Sequence, residues 1–309
     1  MLHLFNGQLA ESTLKAPKLK LLVTGASGLL GNKVVERAEN DHDVTPFHNT
    51  KPLHPNSLGL DITDAAEVSR LFRDLKPDAV IHTASETNVD KCETEKEHAF
   101  KTNVEGTRNI AVACGNVGAK LVYVSTDYVF DGTKGNYTEQ DSPNPINYYG
   151  LTKLEGEKQV IQYCANYAVL RTSVLYGWHP WKQNFATWVI NQLKQSEKIS
   201  VVEDHYNTPT LADNLAEMAV ETAERNLRGI YHAAGSERTS RYEFARQIAE
   251  TFRLDAALIQ PVKMKDLTFW VARRPKDSSL NTSKIQKQLE TKPLSVPEGL
   301  EKMRKEVEE

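Results

Sequence analysis

Thr24-Gly25-Ala26-Ser27-Gly28-Leu29-Leu30-Gly31 joins a compact apolar run at residues 18–24 to a helix that we predict over residues 32–40. Such an apolar run is typical of a buried parallel strand, so the segment predicts strand, glycine turn and helix. In this unit Gly25 permits the tight turn, Gly28 lets the backbone approach a pyrophosphate, and Gly31 lets the helix pack against the strand. The helix N-terminus presents unpaired N–H groups and a positive dipole end to phosphates. The stretch therefore predicts a dinucleotide-binding turn with Gly-x-x-Gly-x-x-Gly spacing.

The end of the second predicted strand, residues 43–47, bears on which dinucleotide is bound. An NAD-preferring site usually carries Asp or Glu about 20 residues beyond the glycines, where the carboxylate holds the ribose 2′-hydroxyl. No acidic residue occurs at positions 44–51. The side chains suited to a 2′-phosphate there are His48, Asn49, Thr50 and Lys51. The sequence favours NADP(H), with NAD(H) as the alternative.

Strands and helices alternate through most of the chain. Further strands are predicted at residues 58–62, 78–85, 120–124, 168–176 and 229–235. Helices are predicted at residues 65–75, 93–117, 184–195, 211–224 and 240–252, after Asn147, and from residue 296. This alternation predicts an α/β fold, a doubly wound parallel Rossmann-type sheet with a smaller C-terminal substrate-binding lobe. We divide the chain into an extension at 1–17, an NAD(P)-binding domain at 18–177 with a returning strand near 229–235, and a lobe at 178–309.

Composition restricts the class of protein. The chain has 309 residues, of which 39% are hydrophobic and 26% charged, as expected of a globular protein. A formal net charge of -3 argues against a general nucleic-acid or anionic-membrane binder. No run of about 18 apolar residues occurs, and the opening residues 1–5 are shorter than a signal-peptide core and lack a basic start, so we do not expect them to act as one. The three cysteines, Cys92, Cys114 and Cys164, lack metal-type spacing, which predicts reduced thiols in a cytoplasmic protein and no metal site.

The stretch Tyr149-Gly150-Leu151-Thr152-Lys153 carries the predicted chemistry. If Asn147 caps the helix, the four-residue spacing places Tyr149 and Lys153 on one helical face. An ammonium group beside a phenol favours the phenolate and lowers the phenol pKa. Such a tyrosine can transfer a proton to a substrate oxygen near neutral pH.

Three motifs in order resemble the extended short-chain dehydrogenases/reductases: residues 24–31, Ser125-Thr126-Asp127-Tyr128-Val129-Phe130-Asp131-Gly132, and residues 149–153. Within that superfamily the chain is similar to the dTDP-4-dehydrorhamnose reductases. The segments that carry this closer resemblance are residues 89–93, Asn184-Phe185, residues 206–210 and residues 273–284. The resemblance spans residues 19–289. It implies NAD(P)H-dependent reduction of the 4-keto group of a nucleotide-activated 6-deoxy sugar, dTDP-4-dehydro-L-rhamnose to dTDP-L-rhamnose.

The resemblance also implies residue roles. Tyr149 would protonate the substrate carbonyl oxygen, Thr126 would hydrogen-bond the same oxygen, and Lys153 would bind the nicotinamide ribose and lower the Tyr149 pKa. Besides Tyr149 and Lys153, the implied cofactor-binding residues are Gly25, Ser27, Gly28, Leu29, Leu30, Gly31, His48, Asn49, Asp61, Ile62, Thr83, Ala84, Ser85 and Asn103. The implied substrate-binding residues are Asp127, Asn184, Tyr206 and Arg274, with Arg274 contacting the diphosphate. A homodimer through residues 93–117 and 147–166 is also implied.

Two other functions fit the same architecture. The chain also resembles the beta regulatory subunit of methionine adenosyltransferase, which would make a methionine adenosyltransferase catalytic subunit its partner. A nucleotide-sugar epimerase or dehydratase is the other alternative. Dehydratases generally carry acidic residues after the threonine, and here Asp127 is followed by Tyr128 rather than by a second acid.

Overall fold

A computed structural model of the chain describes residues 18–307, so the predicted extension at residues 1–17 lies outside the described part. The strands are β1 Lys20–Thr24, β2 Asp43–His48, β3 Leu58–Gly59, β4 Ala79–His82, β5 Lys120–Thr126, β6 Tyr167–Thr172, β7 Leu175–Tyr176, β8 Ile199–Val202, β9 Tyr206–Asn207, β10 Thr210–Leu211, β11 Gly229–His232, β12 Thr239–Ser240 and β13 Ile259–Val262. The α-helices are α1 Leu29–Ala38, α2 Ala65–Leu75, α3 Val89–Thr94, α4 Lys96–Phe100, α5 Thr107–Val117, α6 Tyr148–Tyr163, α7 Phe185–Lys194, α8 Ala212–Glu224, α9 Arg241–Thr251, α10 Ser283–Gln286 and α11 Val296–Lys305.

Seven strands form the central sheet in the order β11-β6-β5-β4-β1-β2-β3. Every neighbouring pair in this sheet is parallel. The strand order reverses between β1 and β4, which creates a crevice at the carboxyl ends of these two strands. The predicted doubly wound parallel sheet is confirmed, including the late strand that returns to the sheet as β11.

Helices cover both faces of this sheet because its strands are apolar on both sides. Along β1, Leu21 and Val23 face a core shared with α1 and α8, whereas Leu22 faces a second core shared with α2, α5 and α6. Burial of apolar side chains on both faces is what a parallel sheet requires.

Two predicted elements are interrupted in the structure. The helix predicted over residues 93–117 is broken at Glu95, whose φ is -117° and ψ 59°, and passes through a π-helical turn at Lys101–Gly106. The strand predicted over residues 168–176 is split into β6 and β7 because Val174 adopts a φ of +45°. The third predicted strand is also shorter, since only Leu58–Gly59 pairs with β2. Local backbone conformation, which periodicity does not report, ends these elements early.

The division at residue 177 stays a prediction, and a third core supports it. This core contains Tyr176, Ile190, Phe244 and Leu300, contributed chiefly by α7, α9 and α11. One helix departs from this division. Leu215 and its neighbours on α8 follow residue 177 in the chain but pack against α1 in the first core.

Candidate cofactor and active site

The glycine turn is held by close backbone contacts. Gly25 has a φ of +70°, and a Cβ there would lie 2.7 Å from the Ala84 nitrogen on the loop after β4. A Cβ on Gly31 would lie 2.2 Å from the Gly25 carbonyl oxygen. Gly28 is the N-cap of α1, and no side chain caps this helix end. The turn therefore presents free N–H groups to an anion, and it fits the phosphates of a dinucleotide.

A cavity of about 530 Å³ opens at the crevice between β1 and β4. The predicted site residues that line it are Gly25, Ser27, Gly28, Leu29, Leu30, Gly31, His48, Asn49, Ile62, Thr83, Ala84, Ser85, Thr126, Tyr149, Lys153 and Asn184. The glycine turn and the Tyr149 helix are more than a hundred residues apart in sequence. The sheet topology brings them to one cavity because both follow the carboxyl ends of parallel strands.

Tyr149 and Lys153 lie one turn apart on α6 and both line this cavity. Asn147 caps the helix, and its side chain accepts a hydrogen bond from the Gly150 nitrogen at 2.8 Å, as the sequence predicted. Thr126 ends β5 and lines the same cavity wall. The Tyr128 ring meets the Tyr149 ring edge to face, with 6.1 Å between centroids. The hydroxyl of Thr126, the phenol of Tyr149 and the ammonium of Lys153, all hydrogen-bond donors, thus line one cavity.

The expected effect of Lys153 on Tyr149 is not seen. Loss of solvation raises the pKa of Tyr149, and the neighbouring Thr126 hydroxyl lowers this pKa only in part. The Lys153 ammonium instead donates to the Val124 carbonyl oxygen at 2.8 Å and lies 4.3 Å from the Tyr123 ring centroid. Burial lowers the pKa of Lys153 to about 7. Desolvation outweighs charge–charge attraction here, so Tyr149 is a protonated donor at neutral pH.

We expect Lys153→Met to unfold at a higher temperature than wild type below pH 7. There the buried lysine is protonated in both the folded and unfolded states, so wild type bears the full cost of burying a charge. As pH rises from about 7 to 10.5 the folded protein releases this proton more readily than the unfolded chain, so wild type gains stability and the difference shrinks. Each kcal/mol of difference corresponds to roughly 2–4 °C in melting temperature.

Thermal unfolding monitored by circular dichroism across this pH range measures the effect. Lys158→Met is the matched control, since Lys158 lies exposed on the same helix. A Lys153→Met variant that melts below wild type at low pH would contradict the expectation.

Asp127 is buried, accepts hydrogen bonds from protein donors and does not line the cavity. It is 3% exposed, and its Oδ1 accepts from the Thr126 hydroxyl at 3.1 Å. Its Oδ2 accepts from Ser278, from Ser173 at 2.9 Å and from Asn207 at 3.3 Å. Asp127 thus holds the Thr126 hydroxyl by a hydrogen bond, and its predicted substrate contact stays a prediction.

Two of the predicted cofactor residues do not line the cavity. Asn103 is fully buried, and its side chain bonds Ser85 and Glu86 on one side and Thr152 of α6 on the other. Asp61 accepts hydrogen bonds from the nitrogen and hydroxyl of Thr63. Asn103 thus positions the wall of the site, and Asp61 shapes a turn beside it.

Three of the predicted substrate residues have protein partners. Asn184 lines the cavity, but its side chain caps α7 and donates to the Gly177 carbonyl oxygen. Tyr206 lies outside the cavity, with the Arg238 guanidinium 3.9 Å from its ring centroid. Arg274 donates to Asp90 at 2.8 Å instead of facing the cavity. The diphosphate contact was predicted because a guanidinium suits phosphate oxygens, and in the structure the guanidinium pairs with a carboxylate.

Sequence reasoning missed the loop between β7 and α7. Trp181, Lys182 and Gln183 line the cavity opposite the glycine turn. Lys182 is more than 150 residues from Gly28, and no local pattern connects them. Thr50 and Lys51, which the sequence suggested for a 2′-phosphate, also line the cavity.

The parallel sheet, the uncapped glycine turn and the threonine, tyrosine and lysine set together define an extended short-chain dehydrogenase/reductase. Within residues 18–307, no group of three or more His, Cys, Asp or Glu side chains is placed to hold a metal ion, and no helix has the length and hydropathy to cross a bilayer. The chain belongs to the family described as the RmlD substrate binding domain, whose model matches residues 19–309.

The chain is similar to dTDP-4-dehydrorhamnose reductases and to a methionine adenosyltransferase subunit. A dTDP-4-dehydrorhamnose reductase from Bacillus anthracis, solved in complex with NADP, superposes with a TM-score of 0.86 at 35% identity, covering 94% of this chain and 100% of that chain. A hypothetical dTDP-4-dehydrorhamnose reductase from Sulfolobus tokodaii has a TM-score of 0.83 at 38% identity, covering 91% and 98%. The methionine adenosyltransferase 2 subunit beta of Mus musculus is 34% identical, covering 90% of this chain and 85% of that protein.

Proposed function

We propose that this protein reduces the 4-keto group of a nucleotide-activated 6-deoxy sugar with NADPH or NADH, dTDP-4-dehydro-L-rhamnose being the first substrate to test. The observation that carries the proposal is the convergence of Thr126, Tyr149 and Lys153 with the glycine turn on one cavity. The similarity to two dTDP-4-dehydrorhamnose reductases over nearly the whole chain supports it.

When bound, the nicotinamide cofactor supplies the hydride. The residues of the chain bind the substrate and polarise its carbonyl group. The neutral Tyr149 phenol donates its proton to the carbonyl oxygen as negative charge develops there, and Thr126 holds the same oxygen. Before substrate arrives, the Thr126 hydroxyl donates its one proton to Asp127 at 3.1 Å and accepts from the Tyr128 nitrogen at 3.2 Å. When substrate binds, this hydroxyl turns its proton from Asp127 to the carbonyl oxygen. Lys153 would hold the nicotinamide ribose.

The cofactor preference is part of the proposal. Positions 44–51 carry no acid for a ribose 2′-hydroxyl, whereas Lys51 and His48 line the cavity close to the end of β2. We therefore propose NADPH as the preferred cofactor, with NADH as the alternative.

The test is oxidation of NADPH, followed at the nicotinamide absorbance, with purified protein and dTDP-4-dehydro-L-rhamnose. Formation of dTDP-L-rhamnose in step with NADPH loss is the expected result. Cofactor binding without turnover of this or related 4-keto sugars would contradict the proposal.

A second candidate is a cofactor-binding regulatory subunit of methionine adenosyltransferase. The 34% identity to the mouse beta subunit over 90% of this chain favours it. Co-expression with a methionine adenosyltransferase catalytic subunit tests it, since a regulatory subunit must co-purify with its partner. Keto-sugar turnover without such a complex would support the reductase alone.

Two further predictions concern the oligomeric state of the protein and its location in the cell. We propose a homodimer through the helical segments at 93–117 and 147–166, where Phe100, Leu151 and Ile161 are at least 40% exposed. Light scattering on the eluting protein measures the mass directly, and a monomer would contradict the proposal. A cytoplasmic location stays a prediction from the cysteine pattern.

A further inference from the structure

An aromatic ring lies behind the cavity wall, against the Lys153 ammonium. The ring belongs to Tyr123 in β5, which is fully buried and does not itself line the cavity. The Lys153 Nζ lies over this ring, 4.3 Å from its centroid, and donates to the Val124 carbonyl oxygen at 2.8 Å. The face of an aromatic ring carries negative charge, so it attracts a cation at this distance. Two neighbouring residues of β5 thus hold the ammonium from behind.

Few other groups favour the charged form of Lys153. Burial lowers its pKa to about 7, and the Glu157 carboxylate opposes this only in part. Glu157 itself pairs with Arg171, and Lys153 forms no ion pair within residues 18–307. The Cys92 thiol and the Tyr149 phenol nearby are neutral, because burial raises the pKa of both groups. The contacts with β5 are therefore the ones that keep this buried ammonium charged.

The ring is held in place by His82 of β4, which stacks against it with centroids 5.6 Å apart and an angle of 28° between the planes. His82 Nδ1 lies 2.6 Å from the Thr24 hydroxyl oxygen and Nε2 lies 3.2 Å from the Thr107 hydroxyl oxygen, so both ring nitrogens are hydrogen-bonded. Burial and the Lys153 charge lower the pKa of His82 to about 3. The imidazole is therefore neutral near pH 7 and brings no second positive charge to the Tyr123 ring.

The hydroxyl group of Tyr123 does not account for this residue. It is buried and has no hydrogen-bond partner among the described residues. The same hydroxyl lies against α6, since a Cβ on Gly156 would stand 2.5 Å from its oxygen. Glycine at this position lets the helix that carries Lys153 pack directly on the edge of the ring. What Tyr123 provides to the site is therefore the face of its ring.

We propose that Tyr123 is a positioning residue of the cofactor site, whose ring face holds the Lys153 ammonium charged and in place at the cavity wall. The nicotinamide ribose as the ligand of this ammonium rests on the proposed function, whereas the contact between the ring and the ammonium does not. A cation–π contact is strongest where water is excluded, and both residues are at most 3% exposed. The ring thus offsets part of the cost of burying the charge.

The titration of Lys153 measures this contact directly. Carbon-13 NMR of the purified full chain, labelled at the lysine ε-carbons, follows the titration, and Lys153→Met identifies the signal. Wild type is expected to titrate at a pKa of about 7. Tyr123→Phe should titrate as wild type does, because the ring face is retained. Replacing Tyr123 with trifluorophenylalanine keeps the ring but withdraws negative charge from its face, so Lys153 should titrate about one pH unit lower.

Affinity for NADH, measured by nicotinamide fluorescence, is the second readout. NADH is chosen because it lacks the 2′-phosphate, whose own titration would overlap with that of Lys153. Affinity should fall as pH rises through this titration, because the charged ammonium is the stronger hydrogen-bond donor. At pH 7 the fluorinated protein is expected to bind NADH about fivefold more weakly than wild type, since about a tenth rather than half of its Lys153 is charged. At acid pH the two proteins should bind alike.

The same replacement at Tyr163 is the matched control. Tyr163 is the last residue of α6, lies outside the cavity wall, and has its ring 5.4 Å from the Arg108 guanidinium. It should leave the Lys153 titration and the NADH affinity as in wild type. Thermal unfolding establishes that each variant is folded.

An unchanged Lys153 titration in the protein fluorinated at Tyr123 would overturn the assignment. A loss of NADH affinity of the same size at every pH would also overturn it, because such a loss reports a distorted site rather than a change in the charge of Lys153. If wild type bound no NADH while the Lys153 titration moved as expected, the contact would be established and only the proposed reductase would be wrong.

Discussion

Tyr149→Phe is expected to lower turnover of dTDP-4-dehydro-L-rhamnose by at least about 100-fold while the affinity for NADPH stays near wild type. A positioned general acid contributes typically about 10²–10⁴-fold to rate, and phenylalanine has no proton to donate. The ring itself is retained, so the edge-to-face contact with Tyr128 is preserved and the fold should be unaffected. NADPH oxidation measures turnover, and fluorescence titration measures cofactor affinity.

The neighbouring residue supplies a matched control. Tyr148 is the first residue of α6 and does not line the cavity, and its ring lies 5.2 Å from the Lys96 ammonium. Tyr148→Phe should turn over substrate at close to the wild-type rate. If Tyr149→Phe and Tyr148→Phe behaved alike, the assignment of Tyr149 as the general acid would be wrong.

The largest effect on stability is expected at the ion pair between Glu157 of α6 and Arg171 of β6. Both residues are at most 2% exposed, and they form two hydrogen bonds, Nε to Oε1 at 2.9 Å and Nη2 to Oε2 at 2.7 Å. The Ser125 hydroxyl also donates to Oε1 at 2.6 Å, which ties the residue before Thr126 to α6. The pair thus joins the helix of Tyr149 to the strands beneath it.

Glu157→Gln is expected to lower the free energy of unfolding by about 3–5 kcal/mol, because it leaves the Arg171 guanidinium buried without a counter-charge. Urea unfolding monitored by circular dichroism measures the change. Glu155→Gln, which removes an acid from the partly exposed pair with Lys158 on the same helix, should cost only about 0–1 kcal/mol. Similar losses of unfolding free energy in the two variants would show that breaking the buried pair costs no more than breaking an exposed one.

The double replacement Glu157→Leu with Arg171→Met separates the loss of the pair from the burial of one unpaired charge. A buried ion pair replaced by apolar side chains of similar volume often costs little, because the desolvation penalty disappears together with the attraction. We therefore expect the double variant to regain most of the stability lost in Glu157→Gln. A loss in the double variant as large as that in the single variant would indicate that the pair itself is stabilising.

Much of the fold followed from local rules. The strand, glycine turn and helix at residues 20–38 are marked by an apolar run and by Gly25 and Gly31, whose backbone contacts tolerate no side chain. The α2 bounds were predicted, and the Asp64 side chain caps this helix by accepting from the nitrogens of Ala66 and Glu67, a contact within a few residues. Tyr149 and Lys153 were predicted to share one face of α6 because residues four apart in a helix are neighbours. The helix breaks at Glu95 and Lys101 were missed, because they depend on backbone conformations that periodicity does not encode.

By itself the sequence determined the sheet class, from the alternation of strand and helix patterns, and the glycine turn and the tyrosine–lysine pair, from local spacing. Only the tertiary structure decided which polar groups meet. In the structure Ser278 donates a hydrogen bond to Asp127, Arg274 forms an ion pair with Asp90, and the Lys182 ammonium lies close to Gly28. These partners are more than 150 residues apart, and several donors compete for each carboxylate. Packing of the C-terminal segments against the sheet selects among them, and desolvation in that packed site sets the pKa of Tyr149 and Lys153.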